Sequence, residues 1–406
     1  MTATTLWQRY LALKAEQPKL RMRDAAARIG ASEGELVAAD PSATRLKPDW
    51  ATLLGGLKAA GPLLALTRNE AAVHEKTGVY DHVQVEGRMG LALNPEIDLR
   101  LFLSQWRHAY AVGGERPSLQ VFDQQGEAVH KIYVAEGTDR AAFEALLAAH
   151  ADSAQPVTPE PRPAPERKAD QDVDVDTFRQ EWRELRDTHE FFGLLRRHGV
   201  ERTQALRLAP PEFARQVGVG AVDAVLDSAA GSGLPIMVFV GNAGCVQIHT
   251  GPVHRIAPMG PWLNVLDPGF NLHLRMDLFT EAWLVRKPTV DGIVTSLECY
   301  DAEGSLIVQL FGERKPGKPE LAAWTALADG LAAIAPAHPG PRHDGPRLHA
   351  DAARCGHRVR PAAAGRRHRR PAAGRMLVAA RQGRRRRRLA RGRAAAPPGR
   401  AAGRSP

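Results

Sequence analysis

The chain says the same thing twice. Asn69-Glu-Ala-Ala-Val-His-Glu-Lys-Thr-Gly-Val79 recurs as Asn242-Ala-Gly-Cys-Val-Gln-Ile-His-Thr-Gly-Pro252, and Asn94-Pro-Glu-Ile-Asp-Leu-Arg-Leu101 recurs at the same offset as Asp267-Pro-Gly-Phe-Asn-Leu-His-Leu274. Ser118-Leu119 with Asp123 and Gly126 reappears as Ser296-Leu297 with Asp301 and Gly304. A period near 173 residues is far beyond the roughly 20–50 residues of a solenoid unit. It implies two copies of one domain in tandem, so a residue present in only one copy marks where the halves differ in chemistry.

Each copy reads as helices, then a run of antiparallel strands, then a closing helix. That is an α+β pattern and not alternating βαβ. In the first copy, Leu6–Lys14 and a helix–Gly–helix over Arg21–Ala39 lead. Strand signals follow from Pro62 to Tyr133, with Asp123-Gln-Gln-Gly126 as a hairpin turn, and Ala141–Ala149 closes. In the second copy the spacing predicts one helix over Asp176–His198, a second over Arg202–Leu208 and a third over Pro211–Ala229. Strands then run from Pro235 to Phe311, and Glu320–Ile334 closes. The expected domains are 1–152 and 173–335, joined by a stiff Pro-rich linker over 153–172.

Beyond Ile334 the periodicity stops. Residues 336–406 are rich in Arg, Ala, Pro and Gly and are expected to be disordered or non-native. From His338 to Pro406 there are 20 Arg, no Lys and 2 Asp, whereas the rest of the chain holds 35 basic and 43 acidic side chains. The basic character therefore belongs to the tail, and the body gives no charge argument for nucleic-acid binding. Three separated cysteines, Cys245, Cys299 and Cys355, are no disulfide framework and suit a reducing compartment. No stretch approaches the roughly 20 apolar residues of a membrane span. The expectation is a cytoplasmic protein with no membrane insertion.

Walker loops, Gly-x-Gly-x-x-Gly, His-Glu-x-x-His, Cys-x-x-Cys and Gly-x-Ser-x-Gly are all missing. What remains is a set of isolated side chains. Phe178, Trp182, Leu185, His189 and Phe192 fall at steps of three and four, so His189 is expected on an apolar helix face. It reads either as a core histidine or as an imidazole aimed into an apolar cavity, suited to axial ligation of haem iron. The first copy, aligned on Leu6–Pro18, puts Gln17 or a neighbour there. Arg100 and His273 are matched positions of the repeat. Arg100 is either an ion-paired strand residue or a cation over a cavity. Arg202, Arg286, Lys287 and Arg314 are cations that could face a dicarboxylate. His249 and His254 flank the Thr250-Gly-Pro-Val turn, and Cys245 and His249 share a strand face; with no third ligand near, that pair is a weak metal candidate.

With these residues in hand, the chain resembles the HemS/HmuS/ChuS family of cytoplasmic haem-utilisation proteins, also called hemin-degrading factors or hemin transport proteins. The resemblance rests on Leu66-Thr-Arg-Asn-Glu, Glu75-Lys-Thr-Gly, Asp98-Leu-Arg-Leu-Phe, Asp187-Thr-His-Glu-Phe-Phe192, Met237-Val-Phe-Val-Gly-Asn, Gln247-Ile-His-Thr-Gly, Ala282-Trp-Leu-Val-Arg-Lys-Pro-Thr289 and Thr295-Ser-Leu-Glu, and spans Leu6 to Ile334. It implies two repeats with large antiparallel sheets and one b-type haem, as substrate or cargo. The axial ligand to iron would be His189, and the distal, catalytic residue Arg100. Phe102, Arg202, Phe239, Lys287, Gln309 and Arg314 would line the pocket or pair the propionates. One departure stands out: Phe311 occupies a position where the family has tyrosine.

Three functions follow as expectations. One is an oxidative, haem-oxygenase-like degradation that releases iron. Another is a haem chaperone between an inner-membrane importer and a separate haem oxygenase. The third is a DNA-binding regulator, drawn from the helix–Gly–helix and the Arg-rich tail.

Overall fold

The sequence repeat is a repeat of elements. The computed structural model describes residues 2–153, 157–162, 168–315 and 317–332. The first half runs α1 (Ala3–Glu16), α2 (Met22–Ile29), α3 (Glu33–Ala38), β1 (Ala43–Arg45), α4 (Trp50–Gly56), β2 (Pro62–Arg68), β3 (Ala72–Val79), β4 (Val83–Glu86), β5 (Met89–Leu93), β6 (Asp98–Phe102), β7 (His108–Val112), β8 (Ser118–Phe122), β9 (Ala128–Val134) and α5 (Arg140–Ala149). The second runs α6 (Val175–Arg183), α7 (Glu190–His198), α8 (Arg202–Leu208), β10 (Ala214–Val217), α9 (Ala221–Ser232), β11 (Ile236–Gly241), β12 (Cys245–Gly251), β13 (Ile256–Met259), β14 (Trp262–Asp267), β15 (Phe270–Arg275), β16 (Glu281–Thr289), β17 (Gly292–Tyr300), β18 (Leu306–Gly312) and α10 (Ala322–Asp329).

The strands form two nine-stranded antiparallel sheets, ordered β1-β7-β8-β9-β2-β3-β15-β14-β13 and β10-β16-β17-β18-β11-β12-β6-β5-β4. The two orders are identical under the repeat. Each half builds six strands of one sheet and lends three to the other, so the repeats interlock. Two matched asparagines pin the exchange. Asn69 takes Ala71 and Ala72 N–H on its Oδ1 and donates through Nδ2 to the carbonyls of Gly241 and Ile307 in the other half. Asn242 does the mirror: its Oδ1 holds Gly244 and Cys245 N–H, and its Nδ2 reaches the carbonyls of Arg68 and Val129. Losing either side chain would leave part-buried backbone groups unpaired, at about 1–3 kcal/mol each. The repeated Asp-x-x-Gly turns are also real. Asp123 accepts from Gln125 and Glu127 N–H and Asp301 from Glu303 and Ser305 N–H, and Gly126 and Gly304 take φ of 76° and 78°, where a side chain would be strained.

The cores follow this exchange. Cys245 of β12 packs with Leu99, Leu101 and Val129 of the first half, while Ala71 and Ala72 pack with Val240, Leu272 and Leu310 of the second. The leading helices cap one end of each sheet. In the second half, Phe178, Trp182, Phe191 and Leu194 bury against Trp283, Val285 and Tyr300 of β16 and β17.

Three expectations are corrected. Asp176–His198 is two helices, not one, broken over residues 184–189. Pro211–Ala229 contains edge strand β10 before its helix starts at Ala221. The closing helix α10 is shorter than expected. Part of the linker is docked: Val157 is buried beside Val37 and Phe122, and Arg162 pairs with Asp123 at 3.0 Å. The expected tail, 336–406, and Cys355 lie outside the described residues. No helix among the described residues is long and apolar enough to cross a membrane.

Candidate functional site

The break between α6 and α7 places His189. Leu185 still buries, but the chain then turns on Asp187. The carboxylate accepts the backbone N–H of His189 at 2.8 Å, while Glu190 accepts the N–H of Arg186 at 2.9 Å. The first bond satisfies an N–H that a new helix start leaves open, and the second pins the turn before it. His189 is therefore the N-cap of α7, and its side chain is 92% exposed. It does not share the buried stripe of Phe178 and Trp182. Phe192, also expected on that stripe, is exposed, and Phe191 takes the buried position. The reading as a core histidine is thereby excluded. The topological counterpart of α7 is α2, whose N-cap is Arg21, so the residue matching His189 is Arg21 and not Gln17.

His189 Nδ1 lies 2.6 Å from Asp187 Oδ1. A carboxylate oxygen can only accept, so Nδ1 carries a proton, and in the neutral ring Nε2 is the nitrogen with the lone pair. The two bonds from His189 hold the Asp187 carboxyl below the usual carboxylate range, with Arg314 adding to the effect. The imidazole edges an open depression between α6 and α7, with Leu185, Phe192 and Arg196.

The first turn of α7 is anchored on a buried charge cluster that sequence reasoning missed at its centre. Glu298 on β17 is fully buried. Its carboxylate accepts from Arg202 Nε and Nη2, Lys287 Nζ and Gln309 Nε2, each at 2.9 Å, from Ser296 Oγ at 3.0 Å, and from the Tyr300 hydroxyl. Burial alone would raise its pKa, but Arg202 and Lys287 outweigh it and hold it well below the ordinary value. Lys287 lies 4.7 Å from the Phe191 ring centre, and the Arg202 guanidinium 5.6 Å from Phe191 and 5.5 Å from Phe192. Three predicted residues, Arg202, Lys287 and Gln309, thus meet on one carboxylate. An acid in an alternating strand, opposite Gln309 and next but one to Ser296, was the available signal. Of the other expected cations, Arg286 pairs with Asp329, and Arg314 has Asp291 at 3.9 Å.

From this cluster the half-buried face of the sheet extends outward. Gln309 pairs in register with Phe239, and Phe239 meets Phe311 with ring centroids 5.0 Å apart and planes tilted by 58°. Across β12 lies β6 of the other half, where Val246 pairs with Arg100 and Phe102 is half-buried. Arg100 forms an ion pair with Asp98 on its own strand. Burial pushes the Asp98 carboxyl up against the pull of Arg100. His189 makes no hydrogen bond or ion pair with any other predicted site residue among the described residues.

The weak metal candidate is not supported. Cys245 approaches Thr67 and His130, and burial pushes its thiol up to about 12. His249 instead stacks on Phe270 at 3.8 Å beside Lys76, and burial lowers it to about 4. His254 is exposed on the outer loop. No group of three His, Cys, Asp or Glu among the described residues could hold a metal ion. His273 hydrogen-bonds Asn264 at 2.7 Å.

The Haemin-degrading HemS.ChuX domain family matches residues 30–150 and 199–331. The chain belongs to this family. The double match fits the tandem repeat, and the segment carrying His189 falls between the two stretches. The HemS-family chain is 43% identical over 333 residues to the hemin transport protein HemS of Yersinia enterocolitica, covering 79% of this chain and 95% of the relative. Among solved structures, it is similar to holo-PhuS, a heme-binding protein from Pseudomonas aeruginosa, with a TM-score of 0.81 and 49% identity over 82% of this chain and 100% of that one. It is also similar to ChuS, an E. coli heme oxygenase, with a TM-score of 0.74 and 40% identity over 80% and 99%.

Proposed function

We propose that this HemS-family chain binds haem in its C-terminal half through His189 and serves haem-iron acquisition in the cytoplasm, either opening the haem oxidatively or passing it on. The observation that carries the reading is the exposed imidazole whose Nδ1 is committed to Asp187, so that Nε2 is the nitrogen turned to a ligand, at the start of a helix anchored beside an aromatic strip. The residues fit a flat apolar dicarboxylate in most respects. Phe239, Phe311 and Phe102 offer half-buried hydrocarbon. Arg100 supplies a cation on the same sheet face. Arg314, with its nearest acid at 3.9 Å, is available to a propionate. Arg202 and Lys287 already answer Glu298, so they shape the wall, and a propionate would reach them only in competition with that carboxylate. The redox chemistry would be the haem's own; the chain ligates, orients and limits water.

Titration with hemin tests the site. The expected result is a sharp Soret band for the wild type that His189→Ala broadens and weakens. An unchanged spectrum in the variant would move the ligand elsewhere.

The second reading, a haem chaperone that takes haem from an importer and hands it to a haem oxygenase, is favoured by one observation. Phe311 packs on Phe239, so the face presents hydrocarbon where the resemblance puts a phenol. Incubation of the complex with a reductant and O₂, with catalase present, separates the two. A catalase-resistant linear tetrapyrrole supports degradation. An intact Soret band that moves only on adding an oxygenase supports transfer.

A further inference from the structure

We infer that Asp187 is a positioning residue for His189: its carboxylate selects the Nδ1–H tautomer and so presents the Nε2 lone pair to a ligand's metal. The inference rests on the reading of His189 as the haem ligand, and extends it to a residue outside the set expected to touch haem.

The geometry is specific. One oxygen, Oδ1, takes both the backbone N–H of His189 at 2.8 Å and its ring Nδ1 at 2.6 Å. A side chain two residues away thus fixes the residue's backbone and its ring together. The backbone bond fixes where the imidazole leaves the chain, and the ring bond limits its rotation and settles which nitrogen is bare. Histidines that ligate metals generally donate their other ring N–H to a carboxylate or carbonyl, which orients the ring and raises its basicity. Asp187 and His189 stand in that arrangement. It is also solvent-exposed, at 92% for His189 and 60% for Asp187. Contact with water weakens such a bond, so covering by a flat ligand would strengthen it.

A simpler role for Asp187 is to start α7, and the test must separate the two. Asp187→Ser keeps a short hydroxyl able to take the His189 backbone N–H, but does not reach the ring. Asp187→Asn keeps an acceptor oxygen at the same reach and removes the charge. The first measurement uses the full chain without haem, labelled with ¹⁵N-histidine, at the alkaline end of a pH series where the ring spectra no longer change. Two-bond ¹H–¹⁵N spectra, assigned with His189→Ala, are expected to show the Nδ1–H tautomer in the wild type and the Nε2–H tautomer gaining in Asp187→Ser. The second measurement titrates hemin and records the iron–histidine stretch of the ferrous complex. Asp187→Ser is expected to weaken hemin binding on the order of 10-fold and to lower the stretching frequency, with Asp187→Asn between it and the wild type. A wild-type Nε2–H tautomer overturns the inference without touching the haem reading. So does Asp187→Ser with wild-type hemin affinity and an unshifted stretch, which would leave Asp187 as a helix cap. If His189→Ala binds hemin as the wild type does, the haem reading itself falls and takes the role of the pair with it, whatever the tautomer.

Discussion

The two halves solve one packing problem with opposite charges. Each must tie its leading helices to its sheet. In the C-terminal half the acid is on the strand, Glu298, and the base begins the helix, Arg202. In the N-terminal half the acid begins the helix, Glu33, and the bases are on strands, Arg68 and Lys131. Lys131 occupies the position on β9 that Gln309 holds on β18, and Gln120 on β8 stands where Glu298 stands on β17. The row across the sheet diverges as well. Gln309, Phe239, Ile248 and Asp98 pair successively in one sheet, and Lys131, Leu66, Glu75 and Asn271 in the other. At the helix start, His189 is matched by Arg21, whose guanidinium lies 5.4 Å from the Trp262 ring centre. The fold therefore demands a helix-to-sheet ion pair but not its polarity. That freedom let one sheet become an aromatic face beside an exposed imidazole while the other stayed polar.

The largest effect should come from the buried acid of the C-terminal half. Glu298→Ala strands Arg202 and Lys287 without a counter-ion, and breaking a buried pair in this way typically costs about 3–5 kcal/mol. Urea unfolding of the variant should show that loss. A change below about 1 kcal/mol would mean the cluster is less buried than its geometry implies. The polarity of the N-terminal pair gives the next test. Burial would raise the Glu33 pKa, but Lys131 and Arg68 lower it from 4.5 to about 2. Because the folded value is the lower one, Glu33 contributes its stability above about pH 4.5, and that contribution is lost as the pH falls towards 2. The difference in unfolding free energy between wild type and Glu33→Gln should therefore shrink over this window, by on the order of 3 kcal/mol. A difference flat with pH would break the proposed pairing.

Much of this was legible in the sequence. The repeat predicted two copies of one α+β unit, and the Asp123–Gly126 turn and the Arg202–Leu208 helix stand where the residues placed them. The strand exchange was not legible. Which strand pairs with which across a long chain leaves no local periodicity, so β4–β6 read as members of their own half. The helix break at 184–189 was hidden because the three-and-four spacing of Leu185, His189 and Phe192 runs on through the turn. Asp187-Thr-His-Glu190 was the countersign, since an acid or hydroxyl followed three residues later by Glu marks a helix start. In Pro211–Ala229 the Ala-rich second part outweighed four strand residues whose pairing partners lie some seventy positions on. Glu298 was overlooked because a carboxylate in a strand reads as a solvent face until its partners are known.

The smallest effect tests the comparison at its most exposed point. Arg21 and His189 both begin the second helix of their half, and both project from the body. Arg21→Ala removes one cation from the Trp262 ring, while Arg275 keeps its own place there at 5.3 Å. An exposed cation–π contact is worth about 0.5–1 kcal/mol, so the variant should lose no more than that in urea unfolding and should bind hemin as the wild type does. His189→Ala should be equally mild in stability, because the imidazole buries almost nothing. In hemin affinity it should cost at least about 1.4 kcal/mol, a factor of ten. Two chemically unlike residues at one structural position would then separate cleanly, one affecting only a surface contact and the other only ligand binding. If Arg21→Ala instead weakened hemin binding as much as His189→Ala, the N-terminal helix start would be part of the site, and the division of labour between the two helix starts would have to be abandoned.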